Sequence, residues 1–137
     1  MDYARMIWRL AITAVLFASS ANAAELRLAF PGLKAGGQVN YAVYADETAW
    51  TRRQGPVKSG SAAVGAEVLL QLPPGTYAVM AYHDRDANLT LNTLPIGLPT
   101  EPYGFSNDSR GRFGPPGWSA ARFTLGESGA RQAIRLR

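Results

Sequence analysis

Cysteine is absent and histidine occurs once, at His83. Without cysteine the chain can form neither a disulfide staple nor a thiolate nucleophile, and a cysteine-based zinc centre is excluded. Stability must therefore come from packing, hydrogen bonds and any bound ion. No apolar run reaches the roughly 20 residues that a membrane span needs; the best candidate is Leu10 to Ala18. Basic residues outnumber acidic ones by 14 to 10, for a formal charge of +4, but they are scattered. A nucleic-acid binder would gather them into a patch, so no nucleic-acid partner is expected. There is no Gly-x-Ser-x-Gly elbow and almost no helical period.

The N-terminus reads as an export signal. Arg5 and Arg9 give a positive start, Leu10 to Ala18 is the apolar core, and Ala21-Asn22-Ala23 is a small-x-small cleavage site. Residues 1–23 are thus a signal peptide cleaved after Ala23, and residues 24–137 are one domain. With no cysteine before the cleavage site, a lipid anchor is not expected. The product is periplasmic or secreted, with no membrane span after cleavage.

The remaining chain reads as short strands. Glu25 to Phe30 alternates, with Leu26, Leu28 and Phe30 on one face, and Pro31-Gly32 ends it. Val39, Tyr41 and Val43 share a face of the next run, while Asn40, Ala42 and Tyr44 share the other, so Leu33 to Gly37 is expected to be a hairpin connection. Asp46 to Gly60 is polar and reads as a long connection with one helical turn at Asp46 to Trp50, the indole plugging an edge of the core. Glu67 to Leu72 and Thr76 to His83 flank Pro73-Pro74-Gly75 and are expected to be antiparallel neighbours. The second of these is apolar on both faces, as a central strand should be. Ala121 to Leu125 and Gln132 to Leu136 are two further runs around Gly126-Glu127-Ser128-Gly129. The pattern predicts an all-β fold, one small antiparallel β-sandwich of about seven strands, immunoglobulin-like or prealbumin-like in outline.

One segment breaks that rhythm. Tyr82 to Trp118 has no period, yet it holds the only histidine and a dense set of Gly, Pro and aromatic residues. So long a stretch within a small domain is usually functional or disordered, and its aromatic content argues for order.

Leu72-Pro73-Pro74-Gly75-Thr76-Tyr77-Ala78-Val79, Tyr82-His83-Asp84, Gly97-x-Pro99-Thr100-Glu101-x-Tyr103-Gly104-Phe105-Ser106-Asn107 and Gly111-Arg112-Phe113-Gly114-Pro115-Pro116 resemble the DUF2141 proteins, a family of exported bacterial proteins. The resemblance runs from Glu25 to Leu136. It implies a periplasmic β-sandwich similar to transthyretin-like and carboxypeptidase-regulatory-like modules, and it implies no reaction.

Three chemistries are legible in the segment. Asp84, Asp86, Asn88, Thr90 and Asn92 put an oxygen-bearing side chain at every second position, as the start of a calcium loop does. The match is partial, because Leu89 stands where the sharp turn wants Gly and Pro95 where a bidentate Glu is expected; an Asx-rich turn satisfying its own backbone is the alternative. His83 beside Asp84, with Ser106 and Ser109 downstream, has the residue types of a hydrolase, but neighbouring strand residues face opposite ways. A structural His83, hydrogen-bonded within the loop, fits better. Finally, His83, Tyr103, Arg110, Arg112 and Trp118 form a candidate surface for a periplasmic ligand or protein, since guanidinium groups beside aromatic rings suit an anionic, glycan or peptide partner. Phe105 and Phe113 are expected to turn inward and pin the loop. The chain therefore reads as a non-enzymatic binding or accessory module using Asp84 to Trp118, with a calcium-stabilised module and a hydrolase around His83 as the alternatives.

Overall fold

The computed structural model describes residues 23–85, 101–112 and 114–137. The predicted signal segment up to residue 22 and the Asp86 to Asn92 part of the calcium pattern lie outside the described residues, as does Phe113. Two sheets pack face to face. The smaller has the order β4 (Val68–Leu72), β1 (Ala24–Ala29), β8 (Ala130–Ala133). The larger runs β3 (Lys58–Ala63), β2 (Gln38–Tyr44), β5 (Gly75–Asp84), β6 (Tyr103–Phe105), with β7 (Phe123–Leu125) also paired to β5. The all-β sandwich expected from alternation is the observed fold, with eight strands and one parallel pair, β1 with β8, among the described residues. No helix among the described residues is long and apolar enough to cross a membrane.

Alternation places the core. Leu26 and Leu28 of β1, Val39 and Val43 of β2, and Tyr77, Val79 and Ala81 of β5 are buried between the sheets with Leu125, Ile134 and Leu136. The other face of β5 is also covered. Ala78 and Phe105 pack there with Tyr44, Ala121 and Trp50 in a second cluster. Trp50 is carried by α1 (Glu47–Arg52), whose N-terminus is capped by Asp46 through a 2.8 Å bond from the Ala49 N–H and which ends at Arg53 in the left-handed region, φ 55°. The indole is 1% exposed, meets Tyr44 and Phe105 edge to face, and donates its N–H to the Pro116 carbonyl at 2.9 Å. It plugs the core as expected, and it also fastens the Pro116 segment.

The connections differ from the hairpins expected. Leu33 to Gly37 does not join paired strands; it carries the chain from the small sheet to the large one, since β1 pairs with β4 and β8 while β2 pairs with β3 and β5. Pro73-Pro74 makes the same kind of crossing, so β4 and β5 are not neighbours in one sheet. A proline turn fixes where the chain reverses but not which edge the next strand meets, and burial of both faces of β5 decided that. The span read as a connection from Asp46 to Gly60 contains the start of β3, whose Lys-Ser-Gly-Ser-Ala-Ala sequence has no apolar alternation because it is an edge strand with no fully buried residue. After β8 the chain changes sheets once more. Ile134 N–H bonds Ala29 O, whereas Tyr103 and Arg137 exchange backbone bonds of 3.0 and 3.3 Å, which closes that side of the sandwich.

Trp50→Ala should lower the unfolding free energy by about 3–5 kcal/mol in a urea titration, and Trp50→Phe by less, because it keeps the ring contacts and loses only the bond to Pro116. A loss under about 1 kcal/mol for the alanine variant would show that the second cluster is not cooperative with the first.

Candidate functional site

The outer face of the large sheet is divided. One half is covered by Trp50 and by α2 (Trp118–Ala121). The other half carries a polar row fixed by register: Ser61 stands opposite Asn40, Asn40 opposite Tyr82, and Tyr82 opposite Tyr103. Asn40 is 9% exposed, and all four of its amide hydrogen-bonding positions are used. Its Nδ2 donates to the Tyr82 hydroxyl at 3.0 Å and to Asp84 Oδ2 at 2.9 Å, and its Oδ1 accepts from Ser61 at 2.6 Å and from Gln38 at 3.1 Å. A satisfied buried network of this kind holds its members rigidly. Beside it an open groove of about 390 Å³ is lined by Asn40, Tyr44, Ser59, Ser61, Met80 and Tyr82 among others.

At the far end of the row sits Tyr103. The Arg110 guanidinium lies 5.0 Å from the centre of its ring, and Arg110 Nη2 donates to the Arg135 carbonyl at 3.1 Å. Asp108 Oδ1 accepts the Arg135 N–H at 2.9 Å, and Arg137 pairs with Tyr103 through the backbone, so the backbones of Arg135 and Arg137 lie beside Arg110 and Tyr103. All three are exposed. Gly104 permits the close approach, since a Cβ there would run into the Arg135 carbonyl. The ion pairs among the described residues lie elsewhere, between Arg27, Arg131, Glu25 and Glu67.

The five candidate ligand residues are not brought to one point. Tyr103 and Arg110 stack; Arg112 is exposed nearby in sequence; Trp118 is half-buried against the Trp50 cluster. His83 is on the opposite face, 2% exposed, with its Nε2 donating to the Gly36 carbonyl at 2.7 Å. The partner comes from the crossing between sheets rather than from within the loop. Gly37, in the left-handed region at φ 67°, makes that crossing possible, because a Cβ there would strike the Asp84 carbonyl.

Ser106, the candidate nucleophile, is fully buried and committed. β6 and β7 share one edge of β5 end to end, and Val79 faces the gap between them. Ser106 fills it: Oγ accepts the Val79 N–H at 2.9 Å and donates to the Ala121 carbonyl at 2.6 Å. The side chain thus replaces a missing strand partner. His83 stands four residues further along β5, about 13 Å of strand away. Of the calcium pattern only Asp84 is described; it is fully buried and bonded to Asn40, and Glu101, also buried, accepts the Arg85 N–H at 2.7 Å. Among the described residues no group of three or more acidic or histidine side chains is placed to hold a metal.

Asn40, Ser61, Arg135 and Arg137 were not singled out by sequence. Asn40 had a signal, a polar residue in line with Ala42 and Tyr44 on the second face of a strand. The others had none, because their roles depend on which strands pair.

A family model described as "Uncharacterized protein conserved in bacteria (DUF2141)" matches residues 32–133. No curated protein and no solved structure matches the chain.

Ser106→Ala removes the acceptor for the buried Val79 N–H and should cost about 1–3 kcal/mol of stability by urea unfolding. Ser59→Ala, on the exposed strand β3, should stay within about 0.5 kcal/mol of the parent. Equal effects would show that water replaces Ser106 in the gap.

Proposed function

Because the chain belongs to the DUF2141 family, matched over residues 32–133 and described without an activity, we propose from its geometry that it is an exported, non-enzymatic recognition module that holds an anionic group against Tyr103 and Arg110. The observation that carries this reading is the Arg110 guanidinium, oriented by the Tyr103 ring and the Arg135 carbonyl and paired with no carboxylate among the described residues. A guanidinium whose direction is already set loses little freedom when it meets a planar anion, and its fork suits a carboxylate, sulfate or phosphate. Arg135 and Arg137, both exposed and joined to Arg110 and Tyr103 through their backbones, add positive charge to the same surface. The groups a hydrolase would need are spent on structure: Ser106 closes a ladder, and His83 bonds Gly36 from the opposite face.

Export is supported by the N-terminal pattern and by the position of β1, which begins at Ala24, just past the proposed cleavage. The intact mass of protein taken from the periplasmic fraction should correspond to a chain starting at Ala24, and a mass retaining residues 1–23 would contradict export by cleavage.

Citrate, titrated at low salt, should shift the backbone amide signals of Tyr103 and Arg110. Arg110→Gln should weaken the binding by about 3- to 10-fold, and raising the salt to about 0.5 M should do the same in the parent protein. Citrate affinity indifferent to both changes would remove this reading.

A further inference from the structure

The row that ends at Arg110 does not stop at Tyr103. It continues through Tyr82 and Asn40 to Ser61, across four strands, a distance of about 14 Å at the usual strand spacing. The groove lies beside the Ser61, Asn40 and Tyr82 part of this row, and its chemistry is unlike that of the Arg110 end. None of its lining residues is charged; Asn40, Ser59, Ser61, Tyr44 and Tyr82 all carry hydroxyl or amide groups. Tyr44 is 4% exposed, and neither its hydroxyl nor that of Ser59 makes a hydrogen bond among the described residues. Burial raises the Tyr44 pKa, so that hydroxyl stays a neutral donor. The floor is formed by Ala42 and Met80, small enough and apolar enough to lie against the flat face of a ring.

We infer that the ligand is an acidic oligosaccharide, its carboxylate or sulfate on Arg110 and its neutral sugar rings laid across Tyr82 into the groove beside Ser59 and Ser61. This rests on the anion site proposed above and extends it to a class of ligand. A site with one oriented cation at one end and only neutral hydroxyl and amide groups along the rest matches a chain that is polyhydroxylated throughout and charged at intervals. An acidic peptide fits less well: the groove lies on a sheet face, where the backbone hydrogen bonds are already spent between strands, and it offers no deep apolar pocket for side chains. The Asn40 network keeps Ser61 and Tyr82 in fixed positions, so little ordering is required on binding.

The test is an amide-resolved NMR titration of the exported protein with four probes: glucuronosyl-xylobiose, which carries one carboxylate and two neutral rings, citrate, neutral xylotriose and tri-aspartate. Glucuronosyl-xylobiose should shift Arg110 and Tyr103 together with Ser59 to Ser61, and bind at least tenfold tighter than citrate. Ser59→Leu, which fills the groove without touching the Asn40 network, should abolish that tenfold advantage and leave citrate binding as it was. Glucuronosyl-xylobiose shifts confined to the Arg110 end at citrate-like affinity, or tri-aspartate binding as tightly as glucuronosyl-xylobiose, would overturn the glycan assignment and leave the anion site standing. Xylotriose binding equal to glucuronosyl-xylobiose would overturn the joint use of the two ends. Silence from both glucuronosyl-xylobiose and citrate would remove the glycan assignment and the anion site together.

Discussion

Strand β5 is the constraint on which this domain is built. Ten residues long, it is covered on both faces along most of its length and paired along both edges, so every neighbour is placed by reference to it. Tyr77, Val79 and Ala81 look into the space between the sheets, and Ala78 looks into the cluster round Trp50. A strand buried in this way cannot leave a backbone group unsatisfied. That requirement explains Ser106, whose hydroxyl occupies the one gap between β6 and β7, and it explains why the segment after β5 returns to the same edge as β6.

The C-terminal residues then tie the arrangement together. They leave β1 at Ile134 and reach β6 at Arg137, so that two sheets become a sandwich closed on one side. The same move brings the backbones of Arg135 and Arg137 beside Tyr103 and Arg110, the latter stacked on the Tyr103 ring. A structural need, closure of an edge, thereby assembles a basic surface from residues distant in sequence.

The outer face of the large sheet shows how one surface can be both core and candidate site. Its helix-covered half is apolar and interlocked through Trp50. Its open half is polar but no less ordered, because Asn40 satisfies Ser61, Gln38, Tyr82 and Asp84 at once. Rigidity on that side comes from hydrogen bonds rather than from burial of side chains, which leaves a firm surface open to solvent.

Sequence alone determined the parts that rest on local periodicity and on chemical identity. The alternation of Leu26 with Leu28 and of Val39 with Val43, the apolar character of β5 on both sides, the helical turn at Asp46 to Trp50 and the buried indole of Trp50 were all legible, and so was the all-β class. The Tyr103 and Arg110 pair was nameable too, as an aromatic near a guanidinium in a segment without period. What could not be read was everything set by pairing across the chain. β3 is hidden because an edge strand with no fully buried residue needs no apolar alternation, β6 because three residues hold no period, and the two expected hairpins because a turn does not say which strand comes to lie beside the next. Only the tertiary structure decided that His83 faces away from the site, that Ser106 is spent on a ladder, and that Ser61, Asn40, Tyr82 and Tyr103 fall in one row, since register between strands is a property of the assembled sheet and of no single stretch within it.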